Sequence, residues 1–299
     1  MVENRYASLP KTFSLMFKAK LQGIFVWTWS TIVACLIVGR GFPPLVPTIV
    51  TVVSMFFLAI SVYFYNDVID QEMDSLNEVK KERPLPSGAV SERNVMMIVY
   101  ATALIGLVLA YQVNIYSFLF SLTYWVVFSL YSFPGIRLKS RFLMKDLVIF
   151  SGFPFCSLVG SYAITGGLSM AALFSGFLFA IYSSAANPIF GDSLDMVEDA
   201  KFGVKNLALL LSWKRKVQLM VVGVLFVMTV TPLTYVQLGF NMLLPIFTVL
   251  MSLFLLRQLF PIMGAFDSIQ VASIRKYVYG YMVVFELLVI IGTLNIKIF

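Results

Sequence analysis

Nine apolar stretches recur along the chain, at roughly 21–39, 45–65, 94–113, 115–133, 147–166, 169–190, 217–237, 241–259 and 278–295. Each is long enough, at about 1.5 Å of rise per residue, to cross the ~30 Å hydrocarbon layer of a bilayer as an α-helix. A helix of that length in a water-soluble domain carries a polar stripe. Barrel strands are only about ten residues long and alternate in character. Only 12% of the residues are charged and 60% are hydrophobic, whereas a soluble domain has about 25% charged residues. The pattern predicts an all-α polytopic membrane protein. Nine transmembrane helices would surround a central cavity, and residues 1–299 would form a single transmembrane domain.

The basic residues orient that bundle. Nine crossings put the termini on opposite sides. The N-terminal side then collects twenty of the 22 Lys and Arg residues, leaving Arg40 and Lys297 on the other. Such a bias places the N-terminus and the long loops in the cytoplasm of a multi-pass cell-membrane protein. It also accounts for the net charge of +7 without nucleic acid. Histidine is absent, which excludes imidazole-based metal sites and Ser-His triads. Cys35 and Cys156 lie in apolar runs and read as two buried thiols.

Acidic residues are scarce and clustered. Asp67, Asp70 and Asp74 are spaced three and then four apart, and Asp192, Asp195 and Asp199 repeat that spacing 125 residues later. On a helix this spacing puts each trio on one face, where like charges repel unless a cation neutralises them. An all-oxygen set suits Mg²⁺, which binds through one or two carboxylates and substrate phosphates. Two such clusters (66–74 and 191–199), each at the cytoplasmic end of an apolar span, suggest a diphosphate held between them and an internal pseudo-repeat. Asn66 is a candidate auxiliary ligand. Glu72 and Glu198 fall off the shared faces and are expected in solvent.

Arg83, in the Pro- and Gly-rich segment after the first cluster, and Arg137 and Lys139, after the fourth span, are the candidates for binding diphosphate oxygens, with Tyr131 at the end of that span as a hydrogen-bonding partner of the diphosphate. Lys18, Lys20 and Lys201 form a second rank. Arg141, Lys145, Lys214, Arg215 and Lys216 are assigned to membrane orientation.

These motifs resemble those of the UbiA superfamily of intramembrane prenyltransferases. Asn66 to Asp74 meets its Asn-Asp-x-x-Asp-x-x-x-Asp motif. Arg83 to Gly88 meets its Arg-Pro-Leu-Pro-Ser-Gly sequel, and Asp192, Asp195 and Asp199 meet its second aspartate motif. Tyr131, Ser132, Arg137 and Lys139 meet its segment after the fourth helix. The sequence departs at Gly191, where Asn is frequent, at Asn206, where Thr is common, and at Ser140, where a second base is frequent. Pro134 and Gly135 look more like the archaeal-lipid and chlorophyll-type branches. The resemblance implies nine helices and Mg²⁺-dependent transfer of a prenyl group from a prenyl diphosphate to a lipophilic acceptor, with release of pyrophosphate. It implies geranylgeranyl diphosphate as donor and geranylgeranylglyceryl phosphate as the preferred acceptor, with an aromatic quinone-precursor or chlorophyll-type ring as the alternative. A lipid or ion transporter is the rival class. It would place its acids near the bilayer midplane.

Overall fold

The computed structural model describes residues 6–78, 80–192, 196–201, 203–264 and 266–296. Among these residues there is no strand, and nine long helices form: α1 (Leu9–Val38), α2 (Leu45–Ile69), α3 (Glu92–Val113), α4 (Ile115–Leu130), α5 (Met144–Thr165), α6 (Met170–Phe190), α7 (Trp213–Thr234), α8 (Leu243–Leu259) and α9 (Ser268–Thr293). Each packs against its neighbours in sequence, and α9 closes the ring against α1. Seven have the length and apolar character of a membrane span. The others are α4, with 16 residues, and α9, which carries Arg275, Lys276 and Glu286. Leu104, Tyr100, Leu253 and Val222 are among many large apolar side chains exposed on the outside, an arrangement suited to lipid and not to water.

The helix ends have local causes. Ser91, Asn114 and Ser169 cap α3, α4 and α6 by accepting from the backbone N–H three residues on, which satisfies donors that no helical carbonyl reaches. Two helices begin earlier than hydropathy predicts. α1 starts at Leu9, with Pro10 in its first turn, and α9 starts at Ser268, with Asp267 as its cap. Hydropathy marks the lipid-facing part of a helix. It misses an extension whose lysines reach into the headgroup layer.

Close approach of small residues draws the bundle together. Ser54 donates to the Gly106 carbonyl (2.7 Å) and Ser61 to that of Val99 (3.0 Å), joining α2 to α3. A Cβ on Gly106 would come within 2.7 Å of Leu58. Between α1 and α9, Trp29 Nε1 donates to the buried carboxylate of Glu286 at 2.8 Å. Cys35 and Cys156 are both free and buried.

Candidate active site

The first acidic cluster forms where α2 ends. The helix stops at Ile69, Asp70 makes the break, and a short helix, Gln71–Ser75, resumes behind it. The expected continuous helical face is therefore interrupted, yet Asp74 N–H still donates to the Asp70 carbonyl (2.8 Å). The three carboxylates stay together, each no more than 6% exposed, while Glu72 is exposed as expected. Buried carboxylates need partners, and each has a base. Lys20 of α1 lies 2.5 Å from Asp67. Arg83 lies 2.9 Å from Asp74 and 3.9 Å from Asp67. Lys139 pairs with Asp70, and Arg137 stands 4.0 Å from the same carboxylate. Lys80 is 3.9 Å from Asp74. Asn66 donates to Asp70 (2.8 Å) and to Ser132 (2.5 Å).

The turn after α4 delivers Tyr131, Arg137 and Lys139. Gly135 takes φ +88°, a conformation that costs glycine nothing. The chain doubles back so that Lys139 N–H donates to the Tyr131 carbonyl (3.2 Å). Arg137 is itself left-handed (φ 37°), an uncommon conformation for a residue with a Cβ and one that recurs at functional sites. Lys139 Nζ lies 5.7 Å from the Tyr131 ring centre. Burial pushes the Tyr131 phenol well above its ordinary range, so it remains a hydrogen-bond donor. Burial also raises Asp74, against the pull of Arg83, Lys80 and Lys20. It lowers Lys139, against the pull of Asp70.

The second cluster follows α6. Asp192 and Asp199 are buried, and Asp195 lies outside the described residues. Lys145, in the first turn of α5, bridges the other two, with Nζ 2.9 Å from Asp192 Oδ1 and 2.9 Å from Asp199 Oδ2. Asn206 donates to Asp199 (2.7 Å) while its Oδ1 accepts from Leu209 N–H (2.9 Å). Burial raises Asp192, against the pull of Lys145.

Two sequence assignments change here. Lys145, read as an orienting charge, is a buried partner of the second cluster, because its place on α5 faces the bundle interior. Asn206, read as a departure from a motif, clamps Asp199. Its Asn-x-x-Leu spacing before a short helix was the available signal, since that is N-cap chemistry. By contrast, Lys18 and Lys201 are exposed and form no ion pair with a described residue.

Both clusters border one charged cavity of about 200 Å³, lined among others by Asp70, Asp74, Arg83, Lys139, Lys145 and Asp199. Asn66 and Tyr131 also line a second, largely apolar cavity of about 200 Å³ with Trp27, Val62, Tyr63, Phe128 and Ile149. Its walls come from α1, α2, α4 and α5. Among the described residues, no three acidic groups converge on one point. The oxygen donors present on the cavity wall, Asn66, Asp70, Asp74 and Asp199, fit Mg²⁺, which takes few carboxylates and completes its shell with water and phosphate oxygens.

Comparison with known proteins identifies the family. Digeranylgeranylglyceryl phosphate synthase of Thermococcus kodakarensis is 27% identical over 226 residues, covering 74% of this chain and 78% of its own. 4-Hydroxybenzoate octaprenyltransferase of Vibrio parahaemolyticus is 28% identical over 240 residues, covering 76% and 78%. A solved structure of a digeranylgeranylglyceryl phosphate synthase superposes with a TM-score of 0.74 at 20% identity, over 96% of this chain and 99% of that one. A UbiA homolog from Archaeoglobus fulgidus bound to DMAPP and Mg²⁺ superposes at 0.63 with 17% identity, over 90% and 98%. At those identities the superpositions establish a shared fold. The model of the UbiA prenyltransferase family matches residues 27–276, and the chain belongs to that family.

Proposed function

We propose that this prenyltransferase uses Mg²⁺ to transfer a geranylgeranyl group from its diphosphate to geranylgeranylglyceryl phosphate. The carrying observation is that the charged and the apolar cavity share two wall residues, Asn66 and Tyr131. A prenyl diphosphate has the same division, with a highly charged head on an apolar tail. The aspartates of both motifs, with Asn66 as an auxiliary amide ligand, would hold the metal. When bound, Mg²⁺ offsets the charge that the departing diphosphate gains.

The chain's own residues do the rest. Arg83, Arg137, Lys139 and Lys145 supply charged donors to diphosphate oxygens as the C1–O bond breaks and its electron pair leaves with the diphosphate. Tyr131 donates at the junction of the cavities. Trp27, Tyr63 and Phe128 exclude water from the allylic cation and present aromatic faces to it. The acceptor oxygen then bonds to C1, and its proton passes to water or to a second-motif carboxylate.

Similarity to the digeranylgeranylglyceryl phosphate synthases, in sequence and in fold, supports the glycerol-phosphate acceptor. Similarity to 4-hydroxybenzoate octaprenyltransferases supports the second reading, an aromatic acceptor. Purified protein in liposomes with labelled geranylgeranyl diphosphate and both acceptors distinguishes them. We expect Mg²⁺-dependent, EDTA-sensitive labelling of the glycerol phosphate. Labelling of the ring alone reverses the acceptor, and labelling of neither across a panel of donors and acceptors overturns the enzyme reading.

We also propose that the N-terminus and both motifs face the cytoplasm and that the chain forms one continuous transmembrane domain. Cys35 and Cys156 are buried, so Ser87→Cys and Phe42→Cys report on opposite ends of the bundle. An impermeant thiol reagent applied to intact cells is expected to modify the second and spare the first, and the reverse pattern inverts the topology.

A further inference from the structure

The two acidic clusters are neutralised differently. Around Asp67 and Asp74 the bases are the more exposed ones, with side chains 13% (Lys20), 16% (Lys80) and 31% (Arg83) accessible. Each can turn towards water when a stronger cation arrives, with its charge still solvated. Lys139 is the exception at 3%, and it pairs with Asp70, which Arg137 also approaches. At the second cluster, among the described residues, the Lys145 ammonium bridges Asp192 and Asp199, at 2.9 Å from each, and its side chain is 7% exposed.

Lys145 also has little freedom. It belongs to the first turn of a 22-residue membrane helix, where the backbone cannot withdraw it as a loop would. A divalent ion bridging Asp192 Oδ1 and Asp199 Oδ2, at Mg–O distances of about 2.0–2.1 Å, would occupy the volume that the Lys145 ammonium fills. It would also leave that ammonium buried beside a second cation, an arrangement that a low-dielectric site penalises heavily. The charged cavity offers a remedy, since Lys145 lines it together with the first cluster. An anion of high charge placed there compensates the displaced lysine.

We propose that Lys145 is the resident cation of the second cluster. Metal alone loads at Asp67 and Asp74, and Asp192 and Asp199 accept a metal only once a diphosphate has drawn Lys145 away. The inference rests on the reading of both clusters as diphosphate-metal sites and adds an order of loading to it.

Mn²⁺ binding to the full-length protein in detergent, followed by the loss of the free-ion paramagnetic resonance signal, tests this without any transfer reaction. In the absence of pyrophosphate, Asp74→Asn is expected to weaken Mn²⁺ binding roughly tenfold or more, while Asp192→Asn binds as the wild type does. Lys145→Gln is expected to gain a further Mn²⁺ site, and inorganic pyrophosphate is expected to produce that site in the wild type. The proposal is overturned if Asp192→Asn weakens pyrophosphate-free binding as much as Asp74→Asn does. It is equally overturned if a folded Lys145→Gln protein binds no more Mn²⁺ than the wild type. The Asp192→Asn comparison retains Lys145 and decides the matter if Lys145→Gln fails to fold. Normal prenyl transfer with metal already at both clusters would refute the loading order alone. The expected binding pattern without transfer would refute the enzymatic reading alone.

Discussion

The two aspartate clusters share a spacing but not an environment. The first sits at a break in the backbone, where α2 gives way to a short helix and a Pro-rich turn, and its charges meet bases from α1, the 80–83 segment and the turn after α4. Among the described residues, the second is bridged by Lys145 of the adjoining helix and braced by Asn206. An identical spacing of aspartates therefore specifies where carboxylates stand, while the surrounding elements specify which cation they hold. The first cluster is suited to exchanging its counter-charges, and the second to keeping one.

Variants test this contrast most strongly at the first cluster. Asp74→Ala removes the carboxylate best placed for exchange and is expected to lower kcat by roughly 10³-fold in a labelled-prenyl transfer assay. Asp199→Asn is expected to cost less, about 10²-fold, because Lys145 keeps Asp192 as a partner. Equal losses at the two positions would break the contrast.

A smaller effect is expected in the apolar cavity. A Cβ on Gly152 would fall 2.4 Å from the Trp27 ring, so Gly152→Ala moves a wall of the tail site. The cost is expected to be about 1–3 kcal/mol of stability, read by thermal unfolding. Discrimination against longer donors is expected to rise, read as kcat/KM across chain lengths. Lys18→Ala marks the lower bound. Its side chain is exposed and unpaired among the described residues, and transfer is expected to change by less than about twofold.

Much of this was legible in the sequence, for reasons that differ by region. The spans were readable because lipid imposes length and apolarity on every helix that crosses it. Asp67, Asp70, Asp74, Arg83 and Lys139 were readable because a few polar residues stand out against an apolar chain. The starts of α1 and α9 were not, since a helix leaving the bilayer loses its hydropathic signal but not its hydrogen bonds. Lys145 was hidden for a related reason. A lysine at a cytoplasmic helix end satisfies the positive-inside rule whether it points to water or to Asp192, and only packing of α5 beside α6 distinguishes the two. Ser132, fully buried against Asn66, was visible as part of a motif, but its role as the support for that amide required the fold.

The central claim is that both clusters act on one diphosphate. Anomalous diffraction at the manganese edge, from crystals grown with Mn²⁺ and a non-cleavable geranylgeranyl thiolodiphosphate, measures it directly. The expected map places the diphosphate between Asp74 and Asp199, with manganese against the aspartates and the prenyl chain running past Tyr131 towards Trp27. A diphosphate bound away from either cluster, or manganese with no phosphate oxygen in its shell, would contradict the account.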